Sequence, residues 1–74
     1  MNIELKSKLT DLALSILSHD AETPGNRTYA GMLGLAIKTN NERSAKIQLA
    51  RITTDGAASL LKELEETEVP VNKQ

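Results

Sequence analysis

The chain holds 74 residues, 39% of them hydrophobic and 26% charged, with 9 basic against 10 acidic side chains, one His, one Tyr and no Phe, Trp or Cys. That length allows one small domain and excludes a second, and without cysteine neither a disulfide nor a Cys-bound zinc can staple it. The apolar fraction is too high for a disordered tail, yet with a single ring the core has to come from Leu, Ile, Ala and Met, which makes it thin and favours an oligomer.

Leu5, Leu9, Leu12 and Ile16 recur at spacings of four, three and four. This puts them on one face of a helix predicted over 3–19, with His19 in its last turn, where positive charge suits the carbonyl end. Asp20 to Arg27 include Pro24-Gly25 and read as a loop. A second helix is predicted over 28–39 from Tyr29, Met32, Leu33, Ala36 and Ile37; Thr23, Asn26 or Thr28 could each cap it. Ala30, Gly31 and Gly34 lie on its other side. Two glycines inside a short helix cost about 1 kcal/mol each, so a neighbouring element is expected to pack closely on that small face.

Asn40 can take a left-handed conformation, and Asn41 can cap a third helix, predicted over 41–66. Two apolar stripes run along it, Ala45, Leu49, Ile52, Gly56, Leu60 and Leu64, then Ile47, Ala50, Thr54, Ala58 and Leu61. Gln48, Arg51, Asp55, Ser59, Lys62 and Glu66 fill the polar arc. Both stripes read as continuing through Thr53-Thr54-Asp55-Gly56, which argues for one helix. The contrary reading is a break there with Asp55 as a fresh cap, because Asp-Gly is a turn dipeptide. Pro70 stops any helix, leaving an extended tail over 68–74 after a single helical domain over 1–67. The architecture is all-α, three helices in a small bundle or helical hairpin.

A monomeric bundle needs one apolar face per helix. Here Ile3, Leu14 and Leu17 lie outside the main stripe of helix one, helix two is apolar on most sides, and helix three carries two stripes. Self-association, as a homodimer or higher oligomer, would cover the surplus, with Leu14, Leu17, Ile47, Ala50, Ala58 and Leu61 as the candidate interface.

Chemistry is weakly signalled. His19 could touch Ser15 four residues before it, with Ser18, Asp20 and Glu22 near. A His at a helix end is more often a surface residue favoured by the dipole, and one His with two flexible carboxylates lacks the spacing of a zinc site, so no enzyme activity, metal or cofactor is expected. Charge is more informative. Residues 23–54 hold Arg27, Lys38, Arg43, Lys46 and Arg51 against Glu42, whereas residues 55–68 hold Asp55, Glu63, Glu65, Glu66 and Glu68 against Lys62.

The sequence therefore points to a non-enzymatic protein that works by protein–protein binding, as an adaptor, inhibitor or regulator. An alternative is an oligomeric module that sequesters a small anionic ligand such as a nucleotide, through Lys38, Asn41, Arg43, Lys46, Arg51, Thr53 and Thr54 near a helix start. Helix-turn-helix DNA binding over Tyr29–Ile47 is weaker, because Asn40 to Arg43 lack the apolar residues that seat a recognition helix and the net charge is −1. No stretch approaches the roughly 18 apolar residues of a membrane span, and Met1 to Lys6 do not open a signal sequence, so a cytoplasmic location is expected.

Overall fold

The structure, a computed structural model, describes residues 2–19 and 23–68. Among these residues four helices follow one another: α1 (Ile3–Ser18), α2 (Pro24–Lys38), α3 (Glu42–Arg51) and α4 (Asp55–Glu68). The same described residues contain no strand. The all-α reading stands, but the single third helix is corrected to two. The last helix reaches Glu68, past the predicted end at 66 and into the first residue of the tail expected over 68–74, whose remaining residues lie outside the described ones.

Each helix begins where a side chain supplies the acceptor that its first amides lack. Asn2 Oδ1 accepts from Leu5 N–H at 2.7 Å to start α1. Thr23 Oγ1 accepts from Asn26 N–H at 3.3 Å, and Pro24 follows at the first helical position, where no amide is needed. Helix α2 thus starts four residues before the predicted 28. His19 closes α1 as an extended C-cap and is not part of its last turn. That last turn has no basic residue of its own; Arg27 supplies one, its Nη2 donating to Leu17 O at 3.3 Å and His19 O at 3.2 Å.

The α2–α3 junction is closed on both sides. Asn40, at φ 57°, lets its own N–H reach Ile37 O at 3.0 Å while Asn41 N–H reaches Ala36 O at 2.8 Å, the paired bonds of a Schellman motif. Asn41 Oδ1 then accepts from Ser44 N–H at 3.1 Å, so one residue ends a helix and begins the next.

Helix α2 packs against both α1 and α3, and α4 packs against α3 and α1. The core between them is Leu5, Leu9, Ala13 and Ile16 of α1, Ala30, Leu33, Ala36 and Ile37 of α2, Ala45 and Leu49 of α3, Ile52 after it, and Ala57 and Leu64 of α4. Leu12, Tyr29, Leu60 and Leu61 pack on its edge. Exposed Lys8 on α1 bonds Glu63 on α4 at 2.9 Å, and this bond with the carboxylate charge raises the Lys8 ammonium above its usual 10.5.

The break between α3 and α4 has a geometric reason. At about 100° per residue, the buried positions of α4 would point about a third of a turn away from those of α3 if the helix ran straight on. Residues 52–54 reset that angle. Thr54, not Asp55, is the new cap: its Oγ1 accepts from Ala57 N–H at 3.1 Å and its carbonyl from Ala58 N–H at 3.2 Å. The reset buries Ala57, which belonged to neither predicted stripe. Gln48, assigned to the polar arc, is buried at 5% exposure.

The small face of α2 is a second correction. A Cβ built on Gly31 or Gly34 meets nothing within 4 Å, so no neighbouring element of the described chain approaches there. The entropic cost of these glycines is therefore not offset by close packing within it. Gly31→Ala and Gly34→Ala are each expected to stabilise the fold by about 1 kcal/mol, read as a higher urea midpoint at a dilution where the chain is monomeric. A lower midpoint for either would mean that the space is filled.

Candidate interaction surface

Helix α1 carries large aliphatic side chains outside its core face. Ile3, Leu14 and Leu17 lie on the side turned away from Leu5, Leu9 and Ile16, with Ser7 and Thr10 between the first and the other two. Their exposures are 84%, 59% and 42%. Helix α2 repeats the arrangement, with Met32 and Leu35, 44% and 63% exposed, one turn apart. Met32 was expected in the core stripe, but the helix starting at Pro24 turns Asn26, Ala30, Leu33 and Ile37 inward and leaves Met32 at the rim. Around it the outward side of α2 is Thr28, Gly31, Leu35 and Lys38, with one charge among them. On α3, exposed Ile47 lies between Arg43 and Arg51, with exposed Ala50 beside it.

Of the residues expected at an oligomer interface, Leu14, Leu17, Ile47, Ala50 and Ala58 are exposed. Leu61 is half-buried against the core and offers only part of its side chain. Leu35 and Met32 add to the exposed set. Leu35 could have been picked out, since Leu35 and Thr28 are two helical turns apart on a side that no buried stripe needs.

The residues expected to bind an anion are split between two places. Lys38, Asn41, Arg43 and Lys46 surround the start of α3, whereas Arg51, Thr53 and Thr54 lie at or past its end. Along α3, Arg43, Lys46 and Arg51 fall at the second, fifth and tenth residues, so the set runs the length of the helix and does not gather at its start alone. Three of the polar side chains also have structural partners. Asn41 and Thr54 cap α3 and α4, and Thr53 bonds Asn26. Arg51 lies with its guanidinium 5.7 Å from the centre of the Tyr29 ring, a cation–π contact from α3 to α2.

The α2–turn–α3 segment is seated through Ala45, Gln48 and Leu49, residues further along α3 than the stretch in which seating was sought. Exposed Ser18 donates to Leu14 O at 2.7 Å, and Ser15 shares no hydrogen bond with His19; Asp20 and Glu22 lie outside the described residues. Among the described residues no group of three acidic, His or Cys side chains could hold a metal ion, and no helix is long and apolar enough to cross a membrane.

Comparison with protein-family models, with characterised proteins and with solved structures gives no significant match, so the surface has to be read from its own chemistry.

Proposed function

We propose that the chain is a small, non-enzymatic protein-binding module that associates with itself, as a homodimer or higher oligomer, and acts as an adaptor, inhibitor or regulator of another protein. The observation that carries this reading is the repeated placing of large aliphatic side chains outward, Leu14 and Leu17 on α1 and Met32 and Leu35 on α2, on helices that each already bury a full face. Single exposed leucines are ordinary. Pairs one helical turn apart, repeated on two successive helices, are the kind of aliphatic surface that protein interfaces cover.

A second copy supplies matching chemistry, because the same aliphatic sides meet again across a two-fold axis. The opposed charges of residues 23–54 and 55–68 add a means of orienting the two copies. Sedimentation equilibrium over the micromolar range is expected to give a mass rising toward twice that of the chain or more. A constant single-chain mass throughout the range would overturn the self-association.

A further inference from the structure

We propose that Asn26 latches the break between α3 and α4, and that when this latch is lost residues 42–68 run as one helix that carries α4 onto a second copy of the chain. Beyond the change of face and the Thr54 cap, no proline and no strained backbone compels the break. The chain's prolines stand at 24 and 70, Gly56 lies inside α4, and no described glycine has a positive φ. Ile52, Thr53 and Thr54 are all residues that a helix accepts at modest cost.

The group that holds them out of the helix comes from 27 residues upstream. Thr53 N–H donates to Asn26 Oδ1 at 3.1 Å, the Thr53 hydroxyl lies 3.3 Å from the same oxygen, and Asn26 Nδ2 donates to Thr53 Oγ1 at 3.1 Å. Asn26 is 5% exposed in the first turn of α2, so its amide is largely withdrawn from bulk water, where an unmatched polar group is costly. Without that acceptor, Thr53 N–H has two choices, water at its exposed position or Leu49 O four residues back, and the second is the helical bond.

Fusing the helices lifts α4 from α1 and from the α3 of its own chain. It cannot be left in water, because Ala57 and Leu64 are fully buried and Leu60 and Leu61 pack on the same core. The surface that matches it is the one it left, on another copy. A reciprocal exchange restores the contacts of α4 with α1 and α3, and the losses fall on the hinge, where the Asn26–Thr53 bonds and the Thr54 cap are given up. The Lys8–Glu63 pair between α1 and α4 is exposed, so parting it on the way costs little. This route needs none of the outward-facing leucines.

The test is native mass spectrometry on the full chain with four proteins: wild type, Asn26→Asp, Asn26→Ala, and Asn26→Ala with Asp55→Pro. Aspartate keeps an oxygen for Thr53 but loses the Nδ2 donor and brings a charge to a nearly buried place, so it is expected to fall between wild type and alanine. Alanine is expected to tighten dimerisation by about tenfold or more, the scale of one lost buried pairing. Proline at 55 fits the first position of α4 but clashes with Arg51 O in a fused helix, so adding it should return the mass distribution to that of wild type.

An unchanged distribution for Asn26→Ala, or an excess of dimer over wild type that persists with Asp55→Pro, would overturn the proposal. Should Asn26→Ala not fold, wild type and Asp55→Pro are refolded at high concentration; dimers only without the proline support the exchange, and equal dimers in both refute it. A dimer built on the exposed leucines is insensitive to Asp55→Pro, which keeps the two readings separable.

Discussion

Leu33→Ala is expected to take away most of the chain's folding stability. Leu33 is fully buried at the middle of α2, the helix that packs on both α1 and α3. Removing three carbons there loses their transfer energy and leaves a cavity that helices held on two sides cannot fill, about 3 kcal/mol together. A domain of this length has about 4–11 kcal/mol in total, and a core without disulfides and with a single ring at its edge places it near the lower end.

Urea unfolding followed by circular dichroism checks this, with Leu33→Met as the volume-conserving control, expected to cost less than about 1.5 kcal/mol. A loss below about 1 kcal/mol for Leu33→Ala would mean that the site is not a tightly packed centre. Because association stabilises by mass action, the measurement is made at two concentrations. Partial rescue at the higher one would show that the self-associated form retains the fold.

The parts of the fold legible in the sequence are those written locally. Leu5, Leu9 and Ile16 declare the inward side of α1, and Asn40-Asn41 declares one helix end and the next start within two residues, because a left-handed C-terminal position and a side-chain cap are both properties of the residue that occupies them. Thr23-Pro24 carries an equally local start signal for α2, and the competing caps at Asn26 and Thr28 hid it.

The break after α3 has a different origin. A stripe drawn through Ala45, Leu49, Ile52, Gly56, Leu60 and Leu64 steps mostly by four residues, and each such step overshoots a full turn by about 40°. Over that length it wraps to a different side, so apparent continuity conceals a change of face. The side chain that holds the break open, Asn26, belongs to another helix and could not be read from the neighbourhood of Thr53. A local trace did exist in Thr54 followed by Asp55, an acceptor and then an acidic first turn, the ordinary pattern of a helix start.

The same contrast separates the two sets of expected binding residues. Outward positions such as Leu14, Leu17 and Ile47 follow from helical phase within one element, and the fold leaves them outward. The anion set was gathered by closeness in sequence across a helix start, a cap and a linker. Helix α3 then spreads it along its length, and capping engages Asn41 and Thr54.

Replacing Leu14 and Leu17 together by Gln is expected to weaken self-association by about thirty- to a hundredfold while leaving the fold intact. The two side chains are 59% and 42% exposed, one turn apart on the side of α1 opposite the core. Burying the open surface of such a pair is worth about 2–3 kcal/mol, and each 1.4 kcal/mol is about tenfold in Kd. Glutamine has nearly the helix propensity of leucine and suits an outward position, so the unfolding midpoint of the monomer should move by no more than about 0.5 kcal/mol. Sedimentation measures the first quantity and urea unfolding at high dilution the second. A core leucine changed to Gln would lose folding and association together, whereas an interface leucine loses association alone. If the double variant sediments as wild type does, α1 is not the contact face, and the surplus aliphatic surface on Met32, Leu35 and Ile47 has to supply it instead.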